Sequence, residues 1–167
     1  SIFGNFVAAN SRILEEGLLS GTLSTSWTLA NLENNKAKLN FEGIKKIDKK
    51  EVYALSYSPK GGGDLDIRLY FEKETFRHLR TEYKRTSSAG IGTRPEQSSG
   101  FSESRLKIVE DFSNFREEKG LTLPHAYTMN YSIIGQNGTT EIKWQFNLTE
   151  FAFNQNLDVN TFDAEAK

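Results

Sequence analysis

Two histidines, no cysteine and a scatter of acids are the residues with which this chain could do chemistry. Without cysteine there are no disulfides, thiolate metal sites or thiol nucleophiles. His78 sits between Arg77 and Arg80 on a stretch that reads as a solvated strand face. His125 follows Pro124, falls on an inward parity, and reads as a satisfied, partly buried histidine rather than a catalyst. No His-x-x-x-His or acidic pair has metal-ligand spacing. Serines and aspartates are plentiful, but no G-x-S-x-G elbow is present. Gly61-Gly62-Gly63 lacks the Lys-Ser/Thr that would complete a phosphate loop and reads as a turn. The sequence therefore predicts no enzyme, no cofactor and no metal site.

Charge points the same way. The net charge is −1 and the isoelectric point about 6.2, unlike the strongly basic footprint of a nucleic-acid binder. Lys45, Lys46, Lys49 and Lys50 cluster at one expected hairpin tip. They read as a solvated tip, or more sharply as a site for anionic lipid headgroups. Arg77, Arg80, Lys84 and Arg85 form a second basic run, softened by Glu82. The Asn137-Gly138-Thr139 and Asn147-Leu148-Thr149 sequons are chance matches if the chain is bacterial.

The elements that would position these residues are mostly strands, to which twelve Phe, six Tyr and two Trp are suited. The clearest is Leu121–Leu148. Asn137-Gly138 suits a two-residue turn, in which both positions take φ > 0. Closing there pairs Ile133 with Ile142, Tyr131 with Trp144, Met129 with Phe146 and Tyr127 with Leu148. Asn130, Ser132, Lys143, Gln145 and Asn147 then form a wet face.

Before it, Ile2–Leu19 reads as a helix with an apolar stripe of Phe3, Phe6, Val7, Ile13, Leu14 and Leu18. Leu39–Ile47 pairs with Glu51–Ser58, Phe41 facing Tyr57. Leu65, Ile67, Leu69 and Phe71 alternate with Asp66, Arg68 and Tyr70. Phe76–Arg85 returns with Leu79 and Tyr83 on the apolar side. Thr86–Gly100 is a long Gly/Ser loop. Ser102–Arg116 is a strand of mixed pattern (Leu106, Ile108, Phe112 against Val109, Phe115) whose register stays open and which suggests a bulge. Gly120 suits a left-handed turn position. Phe151 and Phe153 continue the last strand, and Val159 and Phe162 tuck back from the tail.

The sum is α+β: a curved antiparallel sheet, a half-barrel meander of about seven strands, with an N-terminal helix on its concave face. Such a sheet is roughly 30 Å wide and ~26 Å long, and a helix ~25 Å long and about 10 Å across shadows a third of it. Soluble monomers seldom expose apolar patches above a few hundred Å². Curling, an upstream segment, a partner or an apolar ligand must cover the rest.

Three stretches carry a family resemblance: YALSYSPKGGGDLDIRLYFEKETFRHLRTEY, IVEDFSNFREEKGLTLPHAY and FNQNLDVNTFDAE. In that order they resemble the bacterial outer-membrane lipoprotein-sorting proteins of the LolA/LolB-like superfamily, over about Glu51–Asp163. The resemblance implies a half-barrel with helices in its mouth, a cavity for acyl chains and a periplasmic location. The family's carriers begin with further strands that this chain lacks, and the arginine that latches their lid maps onto no residue here.

The combined reading is one domain over 1–167, with a helical plug or lid (1–32), a sheet (36–153) and a tail (154–167). It is a non-enzymatic periplasmic carrier of lipid or lipoprotein acyl chains. Tyr57, Ile67, Leu69, Phe71, Tyr83, Tyr127, Met129, Tyr131, Trp144 and Phe146 line its cavity. Phe3, Phe6, Val7, Leu14 and Leu18 form its lid. The alternative is an envelope sensor or interaction domain that offers the same fold to a protein partner. Peripheral contact with a membrane fits either.

Overall fold

The computed structural model describes residues 4, 8, 11–60, 64–87, 104–135, 138–158 and 161, the side chains of Arg12 and Ser87 excepted. The chain forms one open antiparallel sheet of seven strands in sequential order. These are β1 Lys38–Ile47, β2 Lys50–Ser58, β3 Asp66–Glu72, β4 His78–Ser87, β5 Ser104–Glu118, β6 Leu121–Gly135 and β7 Gly138–Asn147. Ahead of the sheet the described residues form short pieces. They are a helix at Ser11–Glu15, 3-10 turns at Gly21–Leu23 and Thr28–Asn31, and a helical turn at Leu32–Asn35.

Period-2 alternation gives the sheet two unlike faces. The inner face holds Tyr57, Ile67, Leu69, Tyr83, Leu106, Ile108, Phe112, Tyr127, Met129 and Tyr131 in one core cluster. Ile13, Leu18, Leu19, Leu23, Leu29 and Leu32 from the N-terminal segment pack against them. The outer face is laced with ion pairs, such as Arg68–Glu42 (2.9 Å), Arg80–Asp111 (2.6 Å) and Lys84–Glu82 (2.7 Å). Within it Val52, Ala54 and Tyr70 form a small buried cluster with Ile47 and Leu79. Tyr70, expected on the wet side, is thus buried there.

Of the helix expected over Ile2–Leu19, the described residues 4, 8 and 11–15 are helical, and the helix ends at Glu15. Gly17 (φ 65°), Ser20 (φ 69°) and Gly21 (φ 47°) are left-handed, which no helix continues through. An added Cβ at Gly17 would lie 1.8 Å from the Ser26 carbonyl oxygen, so only glycine lets the chain fold back there.

Three hairpins differ from expectation in register. β6 and β7 close with Gly135 opposite Gly138, so Tyr131 pairs with Ile142, Met129 with Trp144 and Tyr127 with Phe146. The pairing is two residues from the expected one. A slip of two leaves every side chain on its own face, so patterning cannot detect it. In β1–β2 the turn is Asp48-Lys49, both left-handed (φ 47° and 71°), and a bulge follows Phe41, which faces Leu55 rather than Tyr57. In β3–β4 the register shifts between Tyr70 and Phe71, which face Arg80 and His78. Leu79 is the extra residue and joins the outer cluster, while His78 turns inward. The solvated reading of His78 is therefore corrected: it is 2% exposed.

β5 keeps one register with β6 throughout, and the suspected bulge is instead a left-handed Asn114 (φ 54°) between Phe112 and Phe115. The β5–β6 turn is Lys119-Gly120 (φ 50° and 86°), as Gly120 suggested. β7 ends at Asn147, so Phe151 and Phe153 do not extend it. Phe151 instead meets the His125 ring edge-on at 5.2 Å, and Phe153 lies under Lys119. The loop at 88–100 and the Val159 and Phe162 positions lie outside the described residues.

Candidate functional site

Alternation along β2 to β7 brings the ten expected lining residues to the inner face. Seven are buried in the core cluster, and Phe71 and Trp144 pack against it half-buried. Phe146, on the edge strand, is 44% exposed and stacks on Tyr127 at 5.3 Å. Leu69 and Tyr83 are wholly inaccessible, so protein atoms rather than solvent-sized space surround them. Of the expected lid residues, Leu18 is buried in the core, whereas Leu14 is 48% exposed. Phe3, Phe6 and Val7 lie outside the described residues.

The centre of this face is polar, which sequence patterning did not anticipate. Glu110 continues the Leu106, Ile108, Phe112 alternation and is completely buried. Its carboxylate accepts three hydrogen bonds, from the Ser20 backbone N–H (2.7 Å), the Tyr83 hydroxyl (2.7 Å) and the Tyr127 hydroxyl (2.6 Å). Burial pushes its carboxyl above the ordinary value despite those three donors, which act the other way. Burial, with the carboxylate as neighbour, also raises both phenols, so they stay protonated donors.

Beside it, His78 stacks under Trp27 (5.4 Å) and contacts Phe71 (5.1 Å) and Phe112 (4.7 Å). Its Nε2 lies 3.1 Å from the Arg80 carbonyl oxygen and 2.9 Å from Thr81 Oγ1. A carbonyl only accepts, so Nε2 carries the proton, and Nδ1 is left without a partner. Gly21 lies directly against this ring: an added Cβ would come within 2.6 Å of Nδ1. Burial lowers the His78 pKa to about 3.

A second polar tie joins Thr28, itself fully buried, to the Tyr57 hydroxyl at 2.7 Å. The same hydroxyl donates to Glu16. Burial and the Glu16 acceptor raise the Tyr57 pKa to about 12. Removing this hydroxyl by Tyr57→Phe is expected to cost about 1–2 kcal/mol, since Thr28 and Glu16 both lose a partner. Urea unfolding would give the loss, and Trp27 fluorescence would shift toward that of a wetter indole.

His125 is buried, as its parity suggested, with Nδ1 2.8 Å from the Leu148 carbonyl and Nε2 2.9 Å from Glu118. It lies toward the β5–β6 turn, away from Glu110. Among the described residues no cluster of His, Asp and Glu could hold a metal ion. The fold and this face together define a class: an open meander with one apolar face, covered by a short segment tied down by buried polar groups. No family model, curated protein or solved structure matches the chain.

Proposed function

We propose that the protein binds and carries an apolar chain, a lipid or the acyl part of a lipoprotein, on its inner face, by exchanging it for the N-terminal segment acting as a lid. The observation that carries this reading is the nature of the cover. Over the described residues 11–35 it is a series of short helical pieces and turns, held by a few polar ties to Glu110 and Tyr57 and by the Trp27–His78 stack. In this closed arrangement Leu18, Leu23 and Leu29 occupy the ligand's place.

Exchange is a near balance. Burying roughly ten methylenes yields ~8 kcal/mol, against about 1–3 kcal/mol for each polar tie broken and about 1.5–3 kcal/mol for each leucine of the cover re-exposed, so a longer acyl chain is what tips it. The likeness to lipoprotein-sorting proteins supports the same reading, and with it a periplasmic setting and a non-enzymatic role. Native mass spectrometry of protein purified from cells, with lipid extraction, tests it. Co-purifying fatty acid or phospholipid is expected, together with a change in Trp27 emission on delipidation. Lipid-free protein in a stable complex with another protein would replace the carrier by an interaction domain.

A further inference from the structure

The inner face runs out from under the N-terminal segment at the end of the sheet that holds the β1–β2 and β3–β4 turns. Phe41 is 62%, Ile44 49% and Phe76 68% exposed there. They form one strip. Phe41 meets the Tyr53 ring at 5.9 Å, Phe76 stacks on its other side at 5.8 Å, and Ile44 is Tyr53's ladder partner.

Phe76 is the informative member. Its φ is 56°, in the left-handed region where a turn is best served by glycine or asparagine and a bulky side chain is strained. Packing does not explain it, because two-thirds of the side chain faces solvent. The turn thus holds a strained residue whose main structural effect is to present a ring.

The strip is bordered by ammonium groups. Lys46, on the same face as Ile44, and Lys49 in the turn are exposed and make no salt bridge among the described residues, whereas Lys45 pairs with Val52 and belongs to the outer face. Lys50 and Lys73 reach Glu72 (2.7 Å) and Glu51 (2.8 Å), which engages two of the acids at this tip, while Glu74 stays exposed. Aromatic rings fringed by lysines match the interface of an anionic bilayer, where rings settle at headgroup depth and ammoniums meet phosphates. A protein-binding hot spot would favour arginine over lysine.

We propose that this edge, Phe41, Ile44, Tyr53 and Phe76 with Lys46 and Lys49, docks the protein reversibly on an anionic membrane surface. No helix among the described residues is long and apolar enough to cross a membrane.

Co-sedimentation with phosphatidylglycerol-containing vesicles, against pure phosphatidylcholine vesicles, tests this. Binding to the anionic vesicles is expected to exceed that to the neutral ones and to weaken as salt rises. Phe76→Gly removes the ring and the backbone strain together. It is expected to leave the thermal midpoint unchanged or higher, yet to weaken vesicle binding about tenfold. Lys46→Glu and Lys49→Glu combined should weaken it by about a hundredfold. Equal binding to both vesicle types, no binding to either, or undiminished binding by the stable Phe76→Gly protein would each overturn the proposal. The measurement needs no lipid in the core, so it stands or falls apart from the carrier reading.

Discussion

Glu110→Ala is expected to lower the free energy of unfolding by about 3–5 kcal/mol at neutral pH, a large share of a small domain's stability. Three donors converge on this carboxylate, and two of them, the Tyr83 and Tyr127 hydroxyls, are buried with no solvent to turn to. Alanine strands all three and leaves a hole beneath Ser20. Glu110→Gln behaves differently. Its carbonyl oxygen can take the place of Oε1 and accept from Ser20 and Tyr127. Its amide can donate to the Tyr83 oxygen, which rotates to accept. The charge that burial penalises is gone, so the glutamine protein should lie within about 1 kcal/mol of the parent. Glu110→Leu combined with Tyr83→Phe and Tyr127→Phe should recover much of the alanine loss, because donors and acceptor leave together. Urea midpoints of the four proteins decide the matter. An alanine protein as stable as the glutamine one would mean that the carboxylate does not hold the cover down.

The sign of the pH effect follows. The Glu110 carboxyl lies above 4.5 in the folded protein, so as pH falls the folded state binds this proton before the unfolded chain does. Down to about 4.5, Glu110 therefore adds stability as the solution is acidified, and Glu110→Gln should lack that rise.

The parts of this fold that alternate were legible from residue types. Ile67, Leu69, Tyr83, Tyr127, Met129 and Tyr131 fall inward because nothing interrupts the period between them. Gly120 marked its own turn. What stayed hidden came from single-residue events. One bulge at Leu79 exchanges it with His78, and simple alternation, which favours the leucine inward, points to the wrong face there. One left-handed residue, Asn114, separates Phe112 from Phe115 and made β5 look unpatterned, which hid Glu110 in an otherwise clean apolar alternation. An acid at that place, with two tyrosines on neighbouring strands to donate to it, was the available signal. The N-terminal stretch has a helical stripe and is helical at its described residues up to Glu15, after which Gly17, Ser20 and Gly21 turn the chain, because helix propensity is too weak to oppose three such positions.

Acid is expected to destabilise the protein mainly through His78. Its pKa is about 3 when folded against 6.5 for an ordinary histidine, because Trp27, Phe71, Phe112 and Gly21 enclose the ring and only the Arg80 carbonyl favours the charged form. A depressed folded pKa means that the contribution is fully present above 6.5 and is lost as pH falls toward about 3, where the unfolded chain holds the proton and the folded one resists it. The loss amounts to about 2 kcal/mol by pH 5 and on the order of 4–5 kcal/mol by pH 3. It opposes the Glu110 term between 6.5 and 4.5, and the Glu110→Gln background isolates it. In that background His78→Phe keeps the ring stack but cannot titrate. It should cost about 1–2 kcal/mol at pH 7, for the partners lost at Arg80 and Thr81, and flatten the slope below pH 6.5. Because Gly21 and Trp27 sit on this ring, a proton at Nδ1 places an unpaired charge under the cover itself. Trp27 emission should therefore report opening ahead of the far-ultraviolet signal of the sheet, and the Phe variant should lose that lead. An acid transition in the His78→Phe protein as steep as in its parent would assign the titrating group elsewhere.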